Sequence, residues 1–222
     1  MASTSRDQRL RRYWDKHARG YDRDMGRWDR VAFGESRRWL CAQAAGEVLE
    51  VAIGTGLNLP HYPAEIRLTG VEWSPPMLAQ ARRRAEELGR PVTLQEADAQ
   101  ALPFPDASFD TVVCTLSLCA IPDDRRAVAE MVRVLRPGGR LLLLDHVAGS
   151  SRPVRTVQRL LELVTVPAGG EHFLRRPFEL VQAAGLHIER HDRFKLGIVE
   201  RLAARKPAAP RRGQTGDLPS GG

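Results

Sequence analysis

The sequence predicts an α/β fold in which a parallel sheet carries helices on both faces. Between residues 47 and 147, strand-like segments alternate with segments that have apolar residues at helical spacing. Phe109 to Leu116 and the four leucines from Leu141 are nearly continuous apolar runs, as expected for strands buried on both faces. The first strand runs directly into a Gly-Thr-Gly turn in LEVAIGTGLN. In open parallel sheets, such a turn lies at the ligand-binding edge.

Seven strands are predicted, and the last two form a C-terminal hairpin. Their ranges are 47–53, 66–73, 92–96, 109–116, 140–147, 186–190 and 195–203. Helices are predicted at 6–16, 33–45, 77–88, 154–166 and 177–184, together with one from Asp123 or Asp124 through Leu135. Ser74 is the expected N-cap of the helix at 77–88, and Pro137-Gly138-Gly139 should end the helix that precedes the fifth strand.

Composition limits the class of protein. The 222 residues are 42% hydrophobic and carry a net charge of +7, and no apolar run approaches the ~20 residues of a membrane span. No signal peptide is expected, because residues 1–12 are polar and basic. Cys41, Cys114 and Cys119 show no metal-ligand spacing, so no metal site is expected. A buried, reduced thiol is expected at Cys114 and Cys119, and these features predict a cytoplasmic protein.

The glycine turn excludes two common nucleotide sites. A dinucleotide fingerprint needs a third glycine where this chain has Leu59, and no Gly-Lys-Ser/Thr follows, which excludes a phosphate P-loop. Glu72 ends the second strand, where a carboxylate can accept hydrogen bonds from both ribose hydroxyls; the alternative is an exposed strand-end glutamate. Asp98 follows the third strand and can accept a hydrogen bond from an adenine amino group. With Gly54 and Gly56 beside an amino-acid moiety, these positions describe an adenosine that carries an amino acid, as in S-adenosylmethionine (SAM).

Four segments, in this order, resemble class I SAM-dependent methyltransferases: VLEVAIGTGLNLPHY, GVEWSPPMLAQAR, EADAQALPFPDASFDTVV and AVAEMVRVLRPGGRLLLLDHV. The resemblance covers roughly residues 21–147. LSLCAIPD followed by LRPGG resembles the branch that contains ubiquinone/menaquinone-biosynthesis methyltransferases, bacterial phosphatidylethanolamine N-methyltransferases and methyltransferase-like thiol methyltransferases. The family resemblance implies a Rossmann-like, doubly wound seven-stranded sheet, mostly parallel with an antiparallel C-terminal hairpin strand. It also implies methyl transfer from SAM, with S-adenosylhomocysteine as the product.

The resemblance implies a set of cofactor-binding residues. The loop after the first strand would hold the methionine end, Glu72 the ribose, and Trp73, Asp98 and Ala99 the adenine. Ser117 would lie near the sulfonium, and Tyr21 would close over the cofactor. The full set is Tyr21, Glu50, Ala52, Gly54, Thr55, Gly56, Asn58, Glu72, Trp73, Asp98, Ala99 and Ser117. Two positions depart from the family pattern: Ala52 replaces the first loop glycine, and Glu171 replaces the cysteine of a Gly-Cys-His motif.

The resemblance also suggests a domain organisation. A helical lid is expected at 1–45, the SAM-binding core at 46–206 with an acceptor-covering segment at 149–185, and a disordered tail at 207–222. His146 and His172 are candidate catalytic bases, and each could equally be structural. After the fourth strand the chain reads CTLSLCAIP instead of an Asn/Asp-Pro-Pro-aromatic motif. We therefore expect a small-molecule or lipid-like acceptor with an N, S or O nucleophile, and no nucleic-acid partner.

Three alternatives stay open at this point. The protein could bind SAM or another metabolite without turnover. It could also be a dehydrogenase, which is a weaker alternative because the third glycine of the dinucleotide fingerprint is missing. The basic segment at 6–25 and the apolar helix at 154–166 also suggest peripheral contact with an anionic membrane. Instead of contacting a membrane, that helix could be a lid packed on the domain. The net positive charge could likewise reflect basic residues spread over solvated helix faces.

Overall fold

A seven-stranded sheet organises the part of the chain that the computed structural model describes, residues 5–28, 33 and 35–208. Its strands are β1 (Glu47–Val51), β2 (Arg67–Glu72), β3 (Thr93–Glu96), β4 (Phe109–Thr115), β5 (Leu135–His146), β6 (His187–Phe194) and β7 (Val199–Arg205). They lie in the order β3-β2-β1-β4-β5-β7-β6. Strands β1 to β5 pair in parallel, and β7 is antiparallel to both of its neighbours. The predicted mostly parallel sheet with an antiparallel C-terminal hairpin strand is confirmed.

Six α-helices of the described residues surround the sheet: α1 (Ser5–Trp28), α2 (Ser36–Cys41), α3 (Pro75–Glu87), α4 (Asp124–Val134), α5 (Arg152–Gly169) and α6 (Pro177–Ala183). Helix α2 is shorter than predicted, and residue 34 of the predicted range lies outside the described residues. Helix α1 runs twelve residues beyond its predicted end at 16. It continues through Gly20, a poor helix former, because Leu10 and Ala18 are buried on one face. The tail predicted at 207–222 lies outside the described residues from 209 onward.

The start of β5 differs from the prediction. Pro137-Gly138-Gly139 belongs to β5 and does not separate a helix from it, because β5 begins at Leu135. The backbone stays in the sheet through contacts with the segment after β7: Gly138 N donates to Lys206 O at 2.9 Å, and Lys206 N donates to Gly139 O at 2.9 Å. Gly138 has a φ of 81°, which a glycine adopts without strain. The tripeptide is therefore an irregularity within β5 that long-range pairing with Lys206 holds in place, and it is not the end of a helix.

The core lies on both faces of the sheet. The LLLL run of β5 alternates between them, with Leu141 and Leu143 in one buried cluster and Leu142 and Leu144 in the other. All four are at most 2% exposed. Because β1, β2 and β3 extend to one side of the sheet and β4 returns to the other side of β1, the strand order reverses between β1 and β4. This reversal opens a crevice at the carboxyl ends of the strands.

We expect Leu142→Ala to lower the free energy of unfolding by about 2–5 kcal/mol, because it removes a buried side chain from a close-packed layer. Leu163→Ala on α5 is the matched control. Leu163 is 72% exposed, so its loss should change stability by less than about 0.5 kcal/mol. Urea denaturation of both variants measures the difference. Equal effects at the two positions would contradict the burial described here.

Candidate active site

A cleft opens at the carboxyl ends of β1, β2 and β4, where the strand order reverses. It encloses about 860 Å³ when its solvent-open mouth is counted. The predicted residues that line it are Tyr21, Ala52, Gly54, Thr55, Glu72, Trp73, Asp98, Ala99 and Ser117. Glu50, Gly56 and Asn58 do not belong to the lining, and neither do His146 and His172. The strand-end positions therefore gather in one place, whereas the two histidines lie elsewhere.

Glu72 is held in a fixed orientation at the end of β2. Its Oε2 accepts a hydrogen bond from Gly54 N at 3.0 Å, and its Oε1 accepts one from Ser74 N at 2.8 Å. The side chain is buried, and this burial raises the pKa of Glu72 although the two backbone N–H groups favour its charged form. Each carboxylate oxygen has a further lone pair. Glu72 can therefore accept hydrogen bonds from ligand hydroxyls with little reorganisation.

A second buried carboxylate, Glu50, supports the loop after β1 from behind. Its Oε1 accepts from Asn58 Nδ2 at 2.7 Å, and its Oε2 accepts from Tyr62 OH at 3.0 Å. Burial raises the pKa of Glu50 to about 7, against the lowering effect of these hydrogen bonds. Asn58 Nδ2 also donates to Thr115 Oγ1 at 2.9 Å, which joins the loop to the end of β4.

Arg37 on α2 brings a buried positive charge to the cleft. One of its nitrogens, Nη1, donates to Asn58 Oδ1 at 3.0 Å and to Thr115 Oγ1 at 3.2 Å, and the side chain also lines the cleft. Sequence analysis missed this residue because it is one of 34 basic residues in the chain. Only the fold distinguishes it, since Arg37 is 7% exposed and most surface arginines are solvated. A buried guanidinium at a cleft is suited to a carboxylate ligand.

Two non-glycine residues of the cleft adopt left-handed backbone conformations. Ala52, at the position where the family pattern has glycine, has a φ of 55°, and Leu116 after β4 has a φ of 53°. For an L-residue this conformation costs about 1–2 kcal/mol. Ser117 Oγ donates to Thr115 O at 2.8 Å and to Ala52 O at 3.5 Å. The strained segments from β1 and β4 thus contact each other at the cleft floor.

Helix α1 closes one side of the cleft with Trp14 and Tyr21. The neighbour of Tyr21, Asp22, accepts from Thr55 Oγ1 at 2.5 Å and from Arg84 Nη2 at 2.6 Å. Arg84 Nη1 also donates to Thr55 O at 2.9 Å. The Tyr21-Asp22 pair therefore joins α1 to both the loop after β1 and α3.

A second contact of α1 explains a difference at the start of α3. Ser74 occupies the predicted N-cap position, but its side chain makes no cap hydrogen bond to the helix backbone. Its Oγ instead donates to Asp15 Oδ1 at 2.6 Å.

Asp98 lines the cleft and is held in place by Gln100. Its Oδ1 accepts from Gln100 N at 2.9 Å and from Gln100 Nε2 at 3.0 Å. Gln100 Oε1 accepts from Asp123 N at 3.1 Å, which links this part of the cleft to the start of α4. Asp98 is half-buried, and Trp73 is half-buried beside it in the cleft lining.

A separate, mostly buried cluster lies at the end of β5 and after β4. His146 Nδ1 is 3.0 Å from Asp145 Oδ1, and side-chain atoms of Cys119, Asp145 and His146 lie within 4.8 Å of one another. Asp145 Oδ2 is buried with no hydrogen-bond partner among the described residues. Burial lowers the pKa of His146, but Asp145 and the charge of Glu171 outweigh it and raise this pKa overall. The spacing of the cysteines in the sequence gave no indication of this grouping.

The segment after α5 covers this cluster. His172 N donates to Cys119 O at 2.9 Å, and Phe173 contacts the His146 ring edge-on at 4.9 Å between centroids. Burial and the nearby charge of Arg175 lower the pKa of His172. Glu171 takes the place of the family cysteine, and burial raises its pKa while His146 lowers it. The two candidate bases thus lie near one loop with opposite pKa shifts.

The doubly wound sheet and the acidic, glycine-bearing cleft at its switch point define a Rossmann-like nucleotide-cofactor domain. Comparison with known proteins gives the family. Residues 49–143 match the family model described as "Methyltransferase domain". This segment therefore matches a methyltransferase domain, in agreement with the class I SAM-dependent methyltransferase resemblance of the sequence.

Curated relatives agree with this assignment. A phosphatidylethanolamine N-methyltransferase of Cereibacter sphaeroides is 44% identical over 118 residues, which is 52% of this chain and 58% of the relative. A demethylmenaquinone methyltransferase of Thermus thermophilus is 40% identical over 125 residues, 52% of this chain and 57% of the relative. The matches thus span less than two thirds of the length of these relatives.

Solved structures show the same fold at low sequence identity. A SAM-dependent methyltransferase from Thermotoga maritima has a TM-score of 0.65 at 23% identity and covers 88% of this chain and 99% of its own. The [4+2]-cyclase SpnF has a TM-score of 0.64 at 22% identity, and the match covers 82% of this chain and 81% of the cyclase. A cyclase and a methyltransferase share this fold, so the fold alone does not define the reaction.

We expect Glu50→Gln to flatten the pH dependence of stability. The pKa of Glu50 is about 7 in the folded protein and has an ordinary value of 4.5. The folded state therefore binds this proton more tightly than the unfolded chain, so its contribution to stability falls as pH rises from about 4.5 to 7. From pH 5 to pH 8, the free energy of unfolding measured by urea denaturation should fall by about 1–3 kcal/mol less in the variant than in the wild type. Glu87→Gln, at an exposed position of α3, is the control, and parallel pH profiles for all three proteins would contradict this account.

We expect Ala52→Gly to raise the free energy of unfolding by about 0.5–1 kcal/mol. Glycine relieves the left-handed strain, and its greater freedom in the unfolded chain offsets part of the gain. Ala81 lies on the buried face of α3, and Ala81→Gly should instead lower the free energy of unfolding by about 1 kcal/mol or more. Thermal and urea denaturation distinguish the two variants, and a loss of stability at both positions would show that Ala52 is not strained.

Proposed function

We propose that this protein transfers the methyl group of SAM to a small, amphipathic or lipid-like acceptor and leaves S-adenosylhomocysteine. The observation that carries the proposal is the fixed Glu72 carboxylate in the cleft of a methyltransferase domain. The acceptor class is supported by the two curated relatives, whose names specify a lipid and a quinone. The alternative, a SAM- or metabolite-binding protein without turnover, is decided by the experiment below.

The residues of the cleft fit SAM in charge and in shape. Glu72 would accept the ribose hydroxyls, Asp98 and the Ala99 backbone would bind the adenine amino group, and Trp73 would cover the ring. Gly54 leaves open space where a side chain would begin, so a ligand can approach the backbone there. Arg37 would bind the carboxylate of the methionine end.

The remaining predicted cofactor residues would act at the rim and behind the loop. Ala52, Thr55 and Ser117 would border the methionine and sulfonium end, and Tyr21 would close over it from α1. Glu50, Gly56 and Asn58 would support the loop from behind, because none of them lines the cleft.

When bound, SAM supplies a methyl group on a positively charged sulfur, which a nucleophile aligned opposite that sulfur can attack. The main task of the protein is then to position the acceptor. A neutral amine needs no base, whereas a thiol or phenol must lose a proton.

His146 and His172 are the candidate bases for such an acceptor. The contact of His146 with Asp145 favours the tautomer with a proton on Nδ1, which leaves Nε2 to accept one. The lowered pKa of His172 keeps that side chain neutral.

The proposal assigns roles to the flanking segments. In the predicted lid at 1–45, the described helix α1 would cover the cleft, which the contacts of Asp15 and Asp22 with Ser74, Arg84 and Thr55 support. Residues 149–185 cover the acceptor, which the contacts of 171–173 with the His146 cluster support. A cytoplasmic location is supported by three buried cysteines that form no disulfide. The sequence CTLSLCAIP after β4 supports the exclusion of nucleic acid as an acceptor.

The proposal can be tested with methyl-labelled SAM and an extract of the source cells, followed by partition between organic and aqueous phases. We expect wild-type label in the organic phase. Glu72→Ala should weaken SAM binding by roughly 10–100-fold in calorimetry and abolish labelling, because a buried charged acceptor is lost. Glu87→Ala, at an exposed position of α3, should retain both properties.

Each other outcome is informative. Label in the aqueous phase would replace the lipid-like acceptor with a polar metabolite. Tight SAM binding without any label, in extracts supplemented with membrane lipids and quinones, would favour the non-catalytic alternative. Unchanged SAM affinity in Glu72→Ala would contradict the cofactor site.

A further inference from the structure

Helix α5 exposes a row of large apolar side chains. Val157, Leu160, Leu161, Leu163 and Val164 are 50–72% exposed. In the described part of the chain, only Leu88 and Leu196 are comparable. Leu196 lies at the tip of the β6–β7 hairpin beside the start of α5, because Ser150 N donates to Leu196 O at 3.1 Å. Six of the seven most exposed large hydrophobic residues thus lie on or beside one helix.

The inward face of α5 is polar, and this polarity explains why the leucines point outward. Gln158 is 6% exposed, accepts from Gly149 N at 2.8 Å and donates to Val147 O at 2.9 Å. Glu162 accepts from Leu174 N at 2.8 Å, and Thr165 Oγ1 donates to Glu171 O at 2.9 Å. The helix is therefore attached to the domain by side-chain hydrogen bonds. It does not pack its apolar face on the domain as a lid would.

The charges around this row are mainly positive. Arg152 and Arg159 are exposed on α5, and Lys195 is exposed next to Leu196 at the hairpin tip. The one acidic residue of α5, Glu162, is turned inward toward Leu174 N. An exposed apolar stripe with arginines beside it is the pattern of a helix that lies in the plane of an anionic bilayer surface.

We propose that α5 and the β6–β7 hairpin tip form a docking surface for an anionic lipid bilayer, with the leucines among the acyl chains and the basic residues at the headgroups. The helix is about 27 Å long, and no helix of the described residues is both long and apolar enough to cross a bilayer. It would therefore lie along the surface. A two-fold dimer through this face is disfavoured, because it would bring Arg152 and Arg159 of both copies to one interface.

The docking surface adjoins the proposed acceptor site. The end of α5 contacts α1, where the Tyr13 ring lies against the backbone of Gly169. Two and four residues further on, Glu171 and Phe173 lie near His146. A bilayer on α5 would thus lie next to the segment that covers the acceptor. This link to catalysis rests on the proposed function, whereas docking itself does not.

The test is sedimentation of the full chain with vesicles of phosphatidylcholine alone and with added phosphatidylglycerol. We expect binding to the anionic vesicles at low salt and release at high salt, since salt screens the basic residues. The double variant Leu160→Glu/Leu163→Glu should reduce the bound fraction at least about tenfold. Leu88→Glu is the matched control, because Leu88 is 47% exposed at the end of α3. It should bind like the wild type.

SAM affinity and thermal stability of the three proteins complete the design, and we expect both to be unchanged because the substituted side chains are exposed. Failure of the wild type to bind, or an equal loss with Leu88→Glu, would overturn the docking surface. A wild-type dimer that the double variant converts to a monomer, without loss of vesicle binding, would assign the face to a second copy instead. Methyl transfer without vesicle binding would remove only the docking proposal, and vesicle binding without methyl transfer would remove only the proposed function.

Discussion

The cleft depends on a carboxylate that has been removed from water. Glu50 is 1% exposed, and its two oxygens are bound by Asn58 and Tyr62. Asn58 in turn bonds Arg37 of α2 and Thr115 of β4. A buried polar group that lacks a hydrogen-bond partner costs about 1–3 kcal/mol. Each side chain of this network is therefore held in place because its neighbours would otherwise lose a hydrogen bond.

This network also accounts for backbone strain at the cleft. The loop after β1 passes through a left-handed Ala52, and the residue after β4 is a left-handed Leu116. Such conformations persist where the surrounding structure fixes them. Asn58 and Thr115 bond each other directly below these two segments. The ligand-facing backbone is therefore fixed in part by Glu50 and Asn58, which do not line the cleft.

The sequence allowed the sheet and the strand-end residues to be predicted, because both follow from local patterns. Continuous apolar runs indicate buried parallel strands, and the carboxyl ends of such strands meet at one edge. That logic brought Gly54, Glu72 and Asp98 to one cleft. Arg37 and the Asp22–Arg84 pair could not be found this way, since each joins distant elements in a chain where arginine is abundant.

Helix α5 shows a different limit of sequence analysis. Its apolar periodicity predicted a helix correctly, but periodicity does not say which face is turned toward the domain. That choice depends on backbone groups of residues 147, 149, 171 and 174, which Gln158, Glu162 and Thr165 satisfy. The start of β5 has the same cause, because Gly138 and Gly139 form hydrogen bonds with Lys206, which lies 68 and 67 residues later in the chain.

The attachment of α1 has a kinetic consequence. Its contacts with Thr55, Ser74 and Arg84 lie over the cleft, whereas the loop at 170–173 covers the separate cluster around His146. Under the proposed function, exchange of the nucleotide would require these α1 contacts to break, whereas arrival of an acceptor from the α5 side would leave them intact. The two substrates would then reach the centre by separate routes. Turnover would follow a compulsory order, in which the nucleotide binds first and its spent form leaves last.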